Sequence, residues 1–197
     1  MEEGKLSKKD IKIVIAAHKP YRMPEDTMYV PLHVGAEGKK NPDGTPLDLG
    51  YQKDNEGDNI SAKNPYYCEL TGIYYAWKNI PAEYLGLVHY RRYFKGKNKS
   101  KDPFACIVTE PEMEKIFETH RIVVPKKRKY YIETLYSHYA HTHYAEHLDC
   151  VREIIGEQCP DYLNSYDKVI KQTSGYMFNM MVMELSLIHI SEPTRRS

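Results

Sequence analysis

The sequence lacks the features that mark several large protein classes. Its four cysteines have no Cys-x-x-Cys spacing, which argues against a zinc knuckle or a disulfide framework and favours a reducing cytoplasmic setting. No apolar stretch approaches the roughly 20 residues of a membrane span, and the N-terminus has no apolar stretch of signal-peptide length. No phosphate-binding loop, GxGxxG or GxSxG motif is present, so nothing supports kinase, dinucleotide or hydrolase chemistry.

The chain also has almost no net charge. Its 28 Lys and Arg against 27 Asp and Glu give a formal net charge of +1. Such a balance provides no global field for nucleic acid or a membrane, so any anion site must be local. Tyrosine is abundant, with 18 Tyr against 4 Phe and 1 Trp. Its flat apolar face and edge hydroxyl suit sugar stacking, although lineage bias explains the excess equally well.

The order of apolar and polar segments predicts an α/β domain with a mostly parallel sheet. Residues 1–10 are expected to be a disordered extension and residues 11–184 the domain itself. The predicted elements are a buried strand over 11–17, a long Gly-rich loop over 34–59, a helix begun by Asn64 and Pro65, a strand over 84–90, a helix over 110–118, a strand over 121–124, a helical region over 133–156 broken near His143, and a strand over 176–183.

The C-terminal segment differs from the rest of the chain. After Glu184 the sequence reads LSLIHISEPTRRS, which resembles translated sequencing-adapter read-through. Residues 185–197 are therefore expected to be a non-native tail that follows a domain truncated at its C-terminus. Without covering helices an apolar patch of the sheet would be exposed, so we expect poor stability and weak activity.

The most informative segment is YLGLVHYRRYF, over residues 84–94. A buried strand runs directly into His89, Arg91 and Arg92. Open α/β sheets bind ligands at the carboxyl ends of their strands, and the guanidinium group is a fixed fork of donors that suits phosphate oxygens. The pattern predicts an anion site; the alternative is that both arginines are surface residues paired with Glu or Asp.

Two further segments are candidates for binding a nucleotide. Ala17, His18 and Lys19 end the first predicted strand, where such sheets commonly hold one. The segment DNISAK over 58–63 precedes a helix N-terminus, which favours an anion. Simple capping and turn chemistry is the alternative for this second segment.

Two other motifs are open to simpler interpretations. His138, His141, His143 and His147 have spacings that could bind zinc, but no HExxH motif is completed and hydrogen-bonded histidines are favoured. The run KKRK over 126–129 could contact a diphosphate or an anionic lipid surface, although a solvated charge run is favoured.

Several long motifs together resemble a bacterial family filed as domain of unknown function number 4422. They are IKIVIAAHKPYRMP, YVPLHVGAEG, GDNISAKNPYYCELTGIYYAWKN, YLGLVHYRRYF and VVPKKRKYYIETLYSHY, in a fixed order, and the resemblance covers residues 11–184. Its members are similar to glycosyltransferases of capsular polysaccharide, exopolysaccharide and O-antigen clusters.

The resemblance implies a GT-A-like (Rossmann-like) fold and a UDP-sugar donor, with galactose or galactofuranose as the sugar for some members. A saccharide or lipid-linked saccharide is the expected acceptor, in the cytoplasm, with peripheral membrane contact left open. Such folds carry an Asp-x-Asp motif that holds a divalent metal, but the equivalent segment here, over residues 87–93, has none. We therefore expect no metal or other cofactor.

The missing Asp-x-Asp motif and the resemblance together suggest roles for residues. Our hypothesis is that Arg91 and Arg92 bind the diphosphate in place of a metal, and that His89 donates to it or orients them. The other implied residues are Ala17, His18, Lys19, Asp58, Asn59 and Lys63 for the nucleotide, and Tyr130, Tyr131, Tyr136, His143 and Asn179 for the acceptor side. No general base is assigned. The alternatives are a non-catalytic nucleotide- or sugar-binding module and a small metal-dependent enzyme built on the His-rich segment.

Overall fold

The computed structural model describes residues 8–190, with side chains to residue 187. The expected N-terminal extension and non-native tail thus lie partly outside the described residues. The chain forms two compact units. One holds the residues up to Val124 together with the segment that begins at Asn179, and the other is Pro125–Phe178.

The first unit is built around a six-stranded sheet. Its strands are β1 (Ile11–Ala17), β2 (Tyr29–His33), β3 (Gln52–Lys53), β4 (Tyr84–His89), β5 (Ile122–Val123) and β8 (Met181–Glu184), and its helices are α1 (Asn64–Tyr67), α2 (Leu70–Asn79), α3 (Glu110–Ile116) and α7 (Leu185–Ile190). The strand order is β3-β2-β1-β4-β8-β5. The four strands β3, β2, β1 and β4 are parallel, whereas β8 runs antiparallel to both β4 and β5. The expectation of a mostly parallel α/β sheet is confirmed.

Strand β1 forms the centre of the core because it is apolar on both faces. Ile11, Ile13 and Ile15 are fully buried on one face, where α3 also packs, and Val14 is fully buried on the face covered by α2. A β-branched run without polar alternation is typical of a strand that is covered on both sides. Gly72 lets α2 pack closely against β2 and the residue after it, since a Cβ at this position would lie 3.3 Å from a methyl group of Leu32 and 2.7 Å from one of Val34.

The second unit is mainly helical. It consists of β6 (Arg128–Lys129), α4 (Leu135–Thr142), α5 (Glu146–Gln158), α6 (Leu163–Ile170) and β7 (Ser174–Gly175), with β6 and β7 paired antiparallel. Thr134 caps α4, where its side chain accepts a hydrogen bond from the Ser137 amide. The helical region predicted over 133–156 is therefore present, and its predicted break lies at His143, which is extended.

Two predicted elements differ from the structure. The helix begun by Asn64 is interrupted at Cys68, whose φ of 49° is left-handed and ends α1 before α2 begins. The strand predicted over 176–183 is reduced to β8, because Phe178 and Asn179 also have positive φ values of 74° and 52°. Left-handed residues cannot continue a helix or a strand, and nothing in the apolar pattern of either segment shows them.

Candidate functional site

The carboxyl ends of the parallel strands meet at one edge of the sheet. The strand register pairs Ala17 with His33 and Ala16 with His89. Beyond β4 the pairing continues, since the Tyr90 amide donates to the Ala16 carbonyl over 3.2 Å. The segments that follow β1, β2 and β4 therefore begin side by side, at the edge where open α/β sheets bind ligands.

The segment after β4 is a tight turn. The Arg92 amide donates to the His89 carbonyl over 2.9 Å, and the His89 amide donates to the Arg92 carbonyl over 3.3 Å. Within the turn Tyr90 is buried, whereas Arg91 and Arg92 are exposed. Both arginines thus follow the carboxyl end of β4 closely, on the turn at this edge of the sheet.

Cationic side chains surround the ring of Tyr90. The Arg91 guanidinium carbon lies 5.1 Å and the Lys19 ammonium 5.7 Å from the ring centroid. The His18 imidazole packs edge-on, with its centroid 5.2 Å away. Partial burial and then the positive charges of Lys19, Arg91 and Lys39 lower the pKa of His18. Burial is the larger cause of this shift, and the smaller part that comes from Lys19, Arg91 and Lys39 reflects nearby positive charge, which an anionic ligand complements.

A carboxylate that the sequence analysis did not select lies next to this turn. An Oε1 of Glu69, the residue before α2, is 4.0 Å from Nε2 of His89 and accepts a hydrogen bond of 2.9 Å from the Asn179 side chain. The His89 and Glu69 side chains are only 18% and 20% exposed. His89 and Asn179, assigned to different parts of the site, are thus joined through Glu69.

A second carboxylate, Asp54, organises the turn after β2. It is fully buried and accepts hydrogen bonds from the amides of Gly35 and Ala36 and from the hydroxyls of Ser61 and Thr71. These four donors compensate for the loss of water around a buried charge. Asp54 therefore fixes the backbone at the edge of the sheet.

The segment over 58–63 lies partly along α2. The Asp58 amide donates to the Asn79 side chain, and its carboxylate accepts from Tyr74, so Asp58 contacts the C-terminal half of α2. The Asn59 side chain makes turn hydrogen bonds with the Gly57 carbonyl and the Ser61 amide. Lys63 is exposed at the end of a 3-10 turn that leads into α1. These contacts are those of capping and turn chemistry.

In the first unit an aromatic cleft lies beside Tyr90 and Arg91. Its volume is about 470 Å³ and its lining includes Tyr21, Tyr90, Arg91, Tyr93, Phe94 and Phe104. The Tyr21 ring packs edge-on against Tyr90, with centroids 5.3 Å apart. Flat rings next to a guanidinium group offer stacking surfaces beside a group that can bind an anion.

The residues assigned to the acceptor side by resemblance lie in the second unit, except for Asn179. Tyr130 and His143 line a cleft of about 450 Å³. The Tyr136 hydroxyl donates to Asp149, and Tyr131 is 81% exposed.

The histidines of the second unit are engaged with its own side chains. Glu133 contacts Nδ1 of both His138 and His141, which lowers the pKa of its carboxyl group. His143 stacks on Tyr139, whose hydroxyl lies 3.2 Å from Nδ1 of His147. Among the described residues, no group of three or more His, Cys, Asp or Glu is arranged to hold a metal ion.

Local sequence patterns could not have identified Glu69 and Asp54. Asp54 follows a strand of only two residues, and Glu69 follows the break at Cys68. The one hint in the sequence concerns Glu69, because a carboxylate is favoured near the N-terminus of a helix such as α2.

The family model described as "Domain of unknown function (DUF4422)" matches residues 12–190. A solved structure, described as the apo form of the bifunctional glycosyltransferase WbbM, is 28% identical with a TM-score of 0.76. The alignment covers 90% of this chain and 34% of that one, so this chain spans about a third of the WbbM chain. No curated protein matches the sequence, and no helix in the described part of the chain is long and apolar enough to cross a membrane.

Proposed function

Because this chain belongs to the DUF4422 family, we propose that it binds the donor in a glycosyltransferase that moves a sugar from a UDP-sugar to a growing cell-surface polysaccharide. The observation that carries the proposal is the group of His18, Lys19 and Arg91 around Tyr90 at the carboxyl edge of the sheet. The similarity to a glycosyltransferase structure supports the same reaction class.

The chemical need of such a reaction is to stabilise a leaving nucleoside diphosphate. In the proposed mechanism the Arg91 guanidinium donates to the diphosphate oxygens, with Arg92 beside it on the same turn, and Lys19 adds a second charge. Donors that are fixed before the reaction stabilise the developing charge without reorganisation. The base and ribose would lie along the segments that follow β1 and β2.

The turn beyond β4 carries no carboxylate of its own for a divalent metal on the diphosphate. Such ions take oxygen ligands, mostly from carboxylates, whereas this turn supplies His89, Tyr90, Arg91 and Arg92. The proposed mechanism therefore contains no metal-dependent step, and the cationic side chains themselves neutralise the leaving group.

A general base is the second requirement, since the acceptor hydroxyl must lose a proton as it attacks. We propose Glu69 for this role, with His89 and Asn179 as positioning residues. The Asn179 hydrogen bond fixes the orientation of the Glu69 carboxylate, and His89 lies 4.0 Å from it. The carboxylate remains partly accessible at the edge of the sheet.

Treatment with a chelator tests the metal-free mechanism. We expect the chain to bind UDP. The rate of UDP release from UDP-galactose in EDTA should be within about twofold of the rate without EDTA, because Arg91 and Lys19 supply the positive charge that a metal would otherwise supply. Calorimetry measures binding and a coupled UDP assay measures turnover. Loss of turnover in EDTA with recovery in manganese would contradict the mechanism, and binding without turnover would favour the non-catalytic module.

Substitution of the proposed base provides a second test. Glu69→Gln should lower the rate of sugar transfer about 100-fold or more, in the range of general-base catalysis, while UDP affinity stays unchanged. A loss of transfer rate with unchanged UDP affinity is a result that a purely structural role would not produce. The control is Glu83→Gln, at the amino end of β4; equal losses in both variants would rule out the assignment.

A further inference from the structure

The second unit contains a basic run, residues 126–129, that has no role in the proposed donor site. Lys126, Lys127, Arg128 and Lys129 are all exposed. None of them forms an ion pair with an acidic side chain of the described residues. Lys127 and Arg128 instead lie over the rings of Tyr176 and Tyr130, at 5.1 Å and 5.4 Å. The run is therefore not a salt-bridged surface.

The charge of this unit is strongly segregated. The basic run holds four of the seven Lys and Arg residues of Pro125–Phe178, and all seven Asp and Glu residues of that unit come at or after Glu133. No acidic residue thus lies within residues 125–132 to offset the positive charge of the run, although the unit as a whole has no formal net charge. A local positive field of this kind favours an anionic surface.

One residue beyond the basic run the chain exposes two large apolar side chains in succession. Tyr131 is 81% and Ile132 95% exposed. A tight turn holds them outward, in which Tyr131 has a left-handed φ of 62° and the Ile132 amide donates to the Tyr130 carbonyl over 2.8 Å. An isoleucine with almost no protein contact gains free energy only where something else removes it from water.

We infer that the segment Lys126–Ile132 docks on an anionic lipid bilayer, independently of the transfer reaction. The four cations contact the headgroups, and Tyr131 and Ile132 enter the boundary between headgroups and acyl chains. Tyrosine is favoured at that boundary because one end of it is apolar and the other polar. Cations and an apolar anchor together are the two signals that give stable attachment to a membrane surface.

Vesicle co-sedimentation of the whole chain tests this inference. We expect binding to phosphatidylcholine vesicles that contain phosphatidylglycerol, little binding to pure phosphatidylcholine, and release by salt. Lys126→Glu with Lys127→Glu should lower binding at least about 25-fold, at about fivefold per lost cation. Ile132→Ser should lower it about tenfold.

Matched controls come from the same unit. Lys168→Glu with Lys171→Glu makes the same charge change on and just after α6, and Ile154→Ser removes an isoleucine that is 45% exposed on α5. The vesicle affinity of both controls should be within about twofold of that of the parent chain. Equal losses in control and test variants, or equal binding to both vesicle types, would overturn the inference. So would binding to heparin without binding to either vesicle, which would indicate a polyanion site. UDP affinity should be the same in all variants, so failure here is distinguishable from failure of the proposed function.

Discussion

Arg91→Gln should reduce sugar transfer by about 100- to 1000-fold, the usual cost of removing one fixed donor from a developing charge. The arginine lies on the turn after β4, exposed, with its guanidinium carbon 5.1 Å from the Tyr90 ring centroid. Glutamine keeps a polar side chain of moderate length but removes the charge and the fork of donors. The fold should not change, because the Arg91 side chain is exposed.

The measurement is the rate of UDP release from the donor, together with UDP affinity by calorimetry. Arg91→Lys should recover part of the rate, since it restores the charge without the fork. Lys115→Gln, which removes an exposed cation from α3, serves as the control and should be close to the parent chain. A transfer rate unchanged in Arg91→Gln would mean that the diphosphate lies elsewhere, and the proposed donor site would be wrong.

Asp54→Ala should lower the free energy of unfolding by about 4 kcal/mol. The substitution leaves the buried amides of Gly35 and Ala36 without acceptors, and each unsatisfied group costs about 1–3 kcal/mol. It also removes the acceptor of the Ser61 hydroxyl and one of the two acceptors of the Thr71 hydroxyl. A loss of this size is a large fraction of the stability of an ordinary domain, typically about 5–15 kcal/mol.

Urea denaturation followed by circular dichroism measures this effect. Asp54→Asn should be intermediate, because its side-chain oxygen still accepts one amide hydrogen bond while its NH₂ group faces another donor. Asp43→Ala, in an exposed loop where it accepts from Thr45, should hardly move the midpoint. If Asp54→Ala unfolded at the same urea concentration as the parent, Asp54 would not hold the turn after β2.

Arg91 and Asp54 were not equally predictable from the sequence. Arg91 follows a buried strand of six residues, and an apolar run that ends in a charged cluster is visible without any knowledge of the fold. Asp54 follows a strand of two residues within a long polar segment. Its importance comes from donors 7 to 19 positions away in the chain. The cationic turn was therefore predictable, whereas its supporting carboxylate was not.

The sequence by itself determined the elements whose burial leaves a local pattern, namely β1, β4, α3 and the helical region broken at His143, together with the α/β class. It also placed His89, Arg91 and Arg92 after a buried strand. Only the tertiary structure decided that Asn179 and Glu69, 110 positions apart, share a hydrogen bond beside His89. Periodicity records how one segment meets water or a core, whereas such a contact depends on strand order and register, which no single segment contains.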